Sequence, residues 1–222
     1  DARAAGVMQG KLLKDLWKKQ SRILDWNGNG MLDYVLVEGE ESHFDAIRRT
    51  SGFLETGAEL PLNQKGNILA EWKRELAYEK FAALDDEAVQ NVEAVICNND
   101  DMALGVYDYY KEKNLKLPVI IGINNSEEMH QKIMSGEMYG TIDNKMEDQV
   151  MEICRLMQAI LKKDTGSYQK VWYSTPILTA VIGQNVVIRM VLPDGLGDRA
   201  ADQTETDKTD CLHNIMSFPF LR

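Results

Sequence analysis

Residues 94–105 read AVICNNDDMALG, and residues 118–125 read PVIIGINN. Each opens with an unbroken apolar run, Ala94–Cys97 and Pro118–Ile123, and each run ends on asparagines. A short continuous apolar run bounded by turn formers is the pattern of a strand buried on both faces. Behind each run lies a stretch with helical spacing, about Asp101–Lys113 and about Ser126–Ser135. Glu127 and Glu128 stand in the first turn of the second stretch, where acids suit the helix dipole. Strand, asparagine turn and helix thus recur in the same order.

Working outward, the unit repeats. Tyr34–Val37 predicts a strand ended by Glu38-Gly39-Glu40, followed by a helix from about His43 to Thr56 with Ser42 as N-cap. A further helix is expected over about Ile68–Leu84. Met138–Ile142 predicts a strand, and Glu147–Lys163 a periodic helix closed by Asp164-Thr165-Gly166. Val171–Trp172 and Pro176–Ile182 predict strands, and residues 3–20 an amphipathic helix. Strands alternating with helices of this length argue an α/β fold with a doubly wound, mostly parallel sheet. From about Gly183 the sequence turns Asp-, Gly- and Thr-rich without period, so residues 183–222 are expected to form a disordered tail.

Composition narrows the function. The 222 residues carry 25 Lys and Arg against 35 Asp and Glu, a formal charge of -10. An acidic chain without a basic run has no electrostatic footprint for nucleic acid. The apolar runs fall far short of the roughly 20 residues that span a bilayer. Three scattered cysteines, Cys97, Cys154 and Cys211, suit neither a metal cluster nor a disulfide framework.

Residues 25–33, DWNGNGMLD, are the first candidate site. Oxygen-bearing side chains at alternate positions, Asp25, Asn27 and Asn29, can face one side of a tight loop. Gly30 permits the sharp turn, Met31 can offer its carbonyl, and Asp33 stands at the ninth position. This matches the first nine positions of an EF-hand calcium loop. The twelfth is Leu36, within the following strand, so a distant carboxylate must close the site. Glu38, Glu40 and Glu93 are candidates. With no helix behind the loop, a structural calcium site is expected rather than a sensor. The alternative is a surface turn fixed by Asx hydrogen bonds.

The second candidate is the set of polar residues at strand ends. In open α/β sheets, ligands bind beyond the carboxyl ends of the strands. His43, Asp45 and Arg49 follow the first strand. Asn98, Asn99 and Asp100 follow Ala94–Cys97, Asn124 and Asn125 follow Pro118–Ile123, and Asp143 and Asn144 follow Met138–Ile142. Planar amide, carboxylate and guanidinium groups suit the vicinal hydroxyls of a polyol. Trp72 or Trp26 could supply an apolar face for its C–H side. Taken singly, such residues are equally well turn formers and helix caps, Arg49 could pair with Asp45 on the helix surface, and Trp72 could be core. Recurrence at four strand ends favours binding.

The segments VMQGKLLKDLW, DWNGNGMLDYVLVEGE, SHFDAIRRT, AVICNNDDMALG, PVIIGINN and GEMYGTIDN together resemble the galactose/glucose-binding proteins of bacterial sugar ABC transporters, which have the type I periplasmic-binding fold. The resemblance covers roughly residues 3–182. It implies calcium on Asp25, Asn27, Asn29, the Met31 carbonyl and Asp33, closed by Glu93. It implies sugar contacts from His43, Asp45, Arg49, Trp72, Asn99, Asn124 and Asn144. Asn124 stands where the family has an aspartate, so an amide donor replaces one carboxylate acceptor. By this analogy residues 1–144 form the second, C-terminal-type lobe. Residues 145–182 belong to the first lobe or its hinge return, and residues 183–222 are unmatched.

The expectation is therefore a binding protein that makes and breaks no bonds, with calcium as its cofactor. Its ligand is a hexose such as galactose or glucose. Its partners are a membrane ABC permease and, by the same resemblance, a chemoreceptor. It would be exported, periplasmic or lipid-anchored on the surface, although no signal sequence opens the chain. The alternatives are a sugar-responsive effector domain of a transcription regulator and a sugar-processing enzyme using His43 and Asp45.

Overall fold

The computed structural model describes residues 1–85, 89–164, 179–182 and 186–189. They fall into two units: one holds the described residues up to 144 together with 179–182 and 186–189, the other residues 145–164.

The first unit is built on one seven-stranded sheet. Its strands are β1 (Leu32–Glu38), β2 (Leu62–Leu69), β3 (Ala94–Cys97), β4 (Val119–Ile123), β5 (Gly140–Asp143), β6 (Thr179–Ile182) and β7 (Val186–Arg189), in the order β2-β1-β3-β4-β5-β6-β7. The first five pair in parallel and β6 and β7 antiparallel. Every residue of β1 from Leu32 to Val37 is buried, as are all of β3. Central parallel strands covered on both faces take apolar residues at successive positions, not alternate ones. Asp33 at the start of β1 is the exception, its buried carboxylate held by Asn27, Asn29 and Asn63.

Helices cover both faces. On one side lie α1 (Ala2–Leu24) and α2 (Phe44–Gly57), packed on each other, with Phe53 of α2 meeting Tyr34 of β1. On the other lie α3 (Arg74–Ala82), α4 (Asp100–Glu112) and α5 (Glu127–Met134). Their Phe81, Tyr109, Tyr110, Met129 and Ile133 join Val35, Val37, Val95 and Ile120 in a single core. Alternate residues of one strand serve the two layers, as the period of two dictates. The second unit contains α6 (Met146–Leu161), whose Val150, Ile153, Met157, Ile160 and Leu161 are exposed.

Three expectations are corrected. The helix expected over 68–84 begins only at Arg74. Residues 62–69, LNQKGNIL, form edge strand β2 instead. An edge strand is half solvated, so its Asn, Gln, Lys and Gly residues hide the apolar signal. The cap of α2 is His43 rather than Ser42: its Nδ1 accepts from the Asp45 N–H at 3.2 Å. The segment read as a tail from 183 contains β7, where Val186, Val187 and Ile188 have strong strand preference. β6, within the residues 145–182 that the resemblance gives to the first lobe or its hinge return, pairs with β5 in this same sheet. Val171–Trp172 and residues beyond 189 lie outside the described residues.

Candidate functional site

In the order β2-β1-β3-β4-β5, the connection from β1 runs to one side and that from β3 to the other. This reversal opens a crevice at the carboxyl ends of β1 and β3. The chain leaving β1 enters α2 at His43, and the chain leaving β3 enters α4 at Asn99, whose side chain accepts from the Met102 N–H at 2.9 Å.

Asn98 ties these elements together. Its Oδ1 accepts from the Gly39 N–H at 3.2 Å, and its Nδ2 donates to Thr50 Oγ1 at 3.2 Å. Its carbonyl accepts from Arg49 Nη1 at 2.5 Å. Thr50 Oγ1 in turn donates to Glu38 Oε2 at 2.7 Å. Arg49 is only 9% exposed, and its Nε has no hydrogen-bond partner among the described residues. Burial pulls its pKa down, and the charges of Asp45 and Asp100 oppose that. The Arg49–Asp45 contact is loose, at 3.7 Å, with Asp45 on the solvent side.

Trp72, just beyond β2, completes this corner. Its ring stands edge-to-face with His43, centroids 5.0 Å apart, and Arg49 Cζ lies 5.6 Å from its centroid. Its backbone φ of 66° is left-handed, and its carbonyl accepts from Asn99 Nδ2 at 3.2 Å. Trp26, the other aromatic candidate, lies in the loop before β1, at the opposite sheet edge, with Lys116 Nζ 3.6 Å from its ring centroid.

Farther along the same edge, Asn144 Nδ2 donates to Asn124 Oδ1 at 2.8 Å. Both asparagines follow carboxyl ends, of β5 and β4. Asn124 and Asn125 have φ of 136° and 59°, so the turn into α5 is wound left-handed. Beneath them Asp100, 1% exposed, accepts from Thr141 Oγ1 at 2.6 Å and from the Ser126 N–H at 2.7 Å. Burial pushes its carboxyl up to about 6, and these hydrogen bonds pull the other way. Thus His43, Asp45, Arg49, Trp72 and Asn99 form one connected cluster, and Asn124 and Asn144 a pair on the same edge. Asn98 and Asp100 belong to the polar strand-end set but not to the sugar contacts that the resemblance implies. The Asn-Asn-Asp run after the most apolar strand was the signal for both.

The 25–33 loop lies at the other end of β1. Asp25 Oδ2 accepts from Gly30 N, Asn27 Oδ1 from Asn29 N, and Asn29 Oδ1 from Met31 N, at 2.9, 3.0 and 2.8 Å. Of the three closing candidates, Glu93 is the one at the loop. Its carboxylate accepts from Asn27 N at 3.3 Å and Asp33 N at 2.9 Å, whereas Glu38 and Glu40 leave the far end of β1. Burial raises the pKa of Glu93, against its backbone hydrogen bonds. Asn27 Nδ2, Asn29 Nδ2 and Lys65 Nζ converge on Asp33 Oδ2 at 2.9, 3.2 and 3.4 Å. Asp25 Oδ1 is buried with no hydrogen-bond partner among the described residues. Those residues contain no group of three or more His, Cys, Asp or Glu placed to bind a metal. Asp25, Asn27, Asn29, Asp33, Glu93 and the Met31 carbonyl carry oxygens of the type a hard cation takes, and the orphaned Asp25 Oδ1 is compatible with one. The two amide nitrogens and Lys65 that now occupy Asp33 Oδ2 would have to turn away.

An open α/β sheet with polar and aromatic side chains gathered at its switch-point edge is the arrangement in which such sheets hold ligands. The chain belongs to the periplasmic binding protein domain family, which matches residues 1–165. It is 31% identical over 180 residues to the D-galactose/methyl-galactoside binding periplasmic protein MglB of Haemophilus influenzae, covering 78% of this chain and 52% of that protein. It is 27% identical over 142 residues to the xylitol-binding protein of Mycolicibacterium smegmatis, covering 64% and 38%. The chain thus spans about half the length, or less, of these relatives. Among solved structures, the fold resembles the binding protein of the arabinose ABC transporter from Shewanella sp. ANA-3, with TM-score 0.59 and 22% identity over 74% of this chain and 52% of that one.

Proposed function

We propose that this chain carries the sugar-contacting lobe of a substrate-binding component of an ABC sugar importer, with a hexose such as galactose or glucose as ligand. The observation that carries this reading is the cluster of His43, Arg49, Trp72 and Asn99 at the crevice between β1 and β3. An indole face suits the C–H side of a pyranose, and a buried guanidinium with an unspent Nε suits its hydroxyls. The relatives named for galactoside and xylitol binding support a polyol as ligand class.

The protein acts by binding alone. Desolvated sugar hydroxyls regain hydrogen bonds from planar side chains, and the bound state is passed to a membrane permease. A chemoreceptor is a second partner in this reading. Export to the periplasm or to a lipid-anchored surface position is part of this reading. Calcium on Asp25, Asn27, Asn29, the Met31 carbonyl, Asp33 and Glu93 would neutralise three carboxylates and brace the amino end of β1. No step of sugar binding passes through it.

Calorimetric titration of the chain with galactose and glucose tests the proposal. The side chains described line one wall of a crevice, so affinity in the millimolar range (~1–10 mM) is expected. Trp72→Ala should abolish the heat. Equal heats from the variant and the wild type would overturn the reading.

A further inference from the structure

Asp100 is a buried charge in the middle of the binding edge that contacts no predicted sugar group. Its two oxygens are spent on different elements: Oδ1 accepts from Thr141 of β5 and Oδ2 from the Ser126 N–H at the start of α5. Its own backbone opens α4 directly after Asn99. It therefore links the ends of β3, β4 and β5, the three strands whose last residues lead to Asn99, Asn124 and Asn144.

The link is tight. A Cβ on Gly122 of β4 would lie 2.2 Å from Asp100 Oδ1, so the strand is bare of side chain where the carboxylate passes. Between Gly122 and Ser126 the chain makes its left-handed turn at Asn124 and Asn125. The Asn125 N–H points back to Thr141 Oγ1 at 3.4 Å, the hydroxyl that donates to Asp100. Thus both ends of the turn bearing Asn124, and the strand leading to Asn144, are referred to one carboxylate.

We infer that Asp100 is a positioning residue for the Asn124–Asn144 pair, and that sugar affinity depends on its carboxylate being ionised. The second half of this inference rests on the sugar-binding reading above. An ionised Asp100 can accept from Thr141 and Ser126 together. A proton on Oδ1 reverses the Thr141 bond: the hydroxyl then accepts from Asp100 as well as from the Asn125 N–H, and its own hydrogen loses the acceptor it had. The turn then shifts, and the amide pair with it.

The groups around Asp100 set the background. Asp101 on its own helix acts on it through its charge, and Arg49 of α2 and Cys97 at the end of β3 feel its charge. On β5, Asp143 lies two residues beyond Thr141 on the same strand face. On α5, His130 Nδ1 lies 3.1 Å from Asn125 Oδ1, a second titratable contact to the same turn. Burial places the Asp100 carboxyl at about 6.

The experiment follows the side-chain amide resonances of Asn124 and Asn144 in the isotopically labelled 222-residue chain from pH 7.5 to 5, first without ligand and then with galactose. Without ligand, both resonances should move together with a midpoint near 6. Asp100→Asn, a neutral isostere, should hold them at the acid position throughout, whereas His130→Gln should leave the titration in place. With galactose, the wild-type affinity should fall about tenfold across the range, and Asp100→Asn should show the low value at both ends. Thr141→Ser should keep the wild-type profile and Thr141→Val lose it. If the amides titrate identically in the wild type and Asp100→Asn, the inference is overturned, as it is if His130→Gln abolishes the titration. If the amides follow Asp100 while galactose moves no resonance, the positioning role stands and the sugar-binding reading fails.

Discussion

The carbonyl of Asn98 accepts a hydrogen bond from Nη1 of Arg49 at 2.5 Å, so the end of β3 and the buried cation of α2 are one unit. A guanidinium bound to a backbone carbonyl on one side keeps its remaining N–H groups for a ligand on the other. In the proposed reading ligand and fold compete for little, because different donors of one side chain serve each.

Arg49→Lys should separate these roles poorly. A lysine has one point of donation and no fork, so it cannot hold Asn98 and a hydroxyl in fixed geometry. We expect a loss of about 1–2 kcal/mol in unfolding free energy, read by denaturant titration, together with loss of detectable sugar binding.

Asp45→Asn should separate them well. The Arg49 contact is 3.7 Å long and solvent-facing, so stability should change by less than about 0.5 kcal/mol. Galactose affinity should still fall, because an acceptor at the crevice rim is lost. Thermal unfolding and calorimetry on one preparation check both parts.

Gly39 lies under the Trp72 ring. A Cβ there would come within 2.3 Å of the indole carbons. Gly39→Ala should therefore displace the ring, shift the tryptophan emission, and lower sugar affinity by about tenfold or more. An unchanged spectrum would contradict the packing described.

Much of this was legible in the sequence, and the failures have physical causes. Ala94–Cys97 is apolar at every position because both its faces are buried, so its strand could be read without ambiguity. Edge strand β2 could not, since Asn63, Gln64 and Lys65 are the residues a solvated edge uses. The asparagines at strand ends were visible as a recurrence. Their division of labour was not: Asn98 serves the scaffold through both ends of its amide, and Asn99 spends its Oδ1 on the cap of α4. The residues alone left Glu93 level with Glu38 and Glu40, and the resemblance singled it out. In the fold Glu93 lies at the loop's end of β1 and the other two at the far end.

Calcium should stabilise the chain through the 25–33 loop. At about a hundredfold excess over its dissociation constant the ion would contribute roughly 2.7 kcal/mol, raising the melting temperature by about 5–10 °C for a chain of this size. A chelator should remove the gain, and Asp25→Ala should remove the difference between the two conditions. Coincident melting curves for the wild type with calcium and with chelator would dismiss the site.

Asp100→Asn should raise stability at neutral pH. Burial holds the Asp100 pKa at about 6 in the fold, above its ordinary 3.8, so the native state binds the proton more tightly than the unfolded chain. This group's contribution to stability is therefore full below about pH 4, declines as pH rises to about 6, and stays at its lowest above that. Removing the charge should return on the order of 1–3 kcal/mol at pH 7.5 and little at pH 4. Urea titrations at the two pH values give the comparison.

The most direct test of the central claim is a galactose titration of the labelled chain, followed at the Trp72 indole, the His43 ring and the Asn99 and Asn144 side-chain amides. Saturable shifts at all four, with one common dissociation constant in the millimolar range (~1–10 mM), are the predicted result. Shifts confined to residues at the amino ends of the strands, or none at these four groups as galactose is raised well beyond that range, would contradict it.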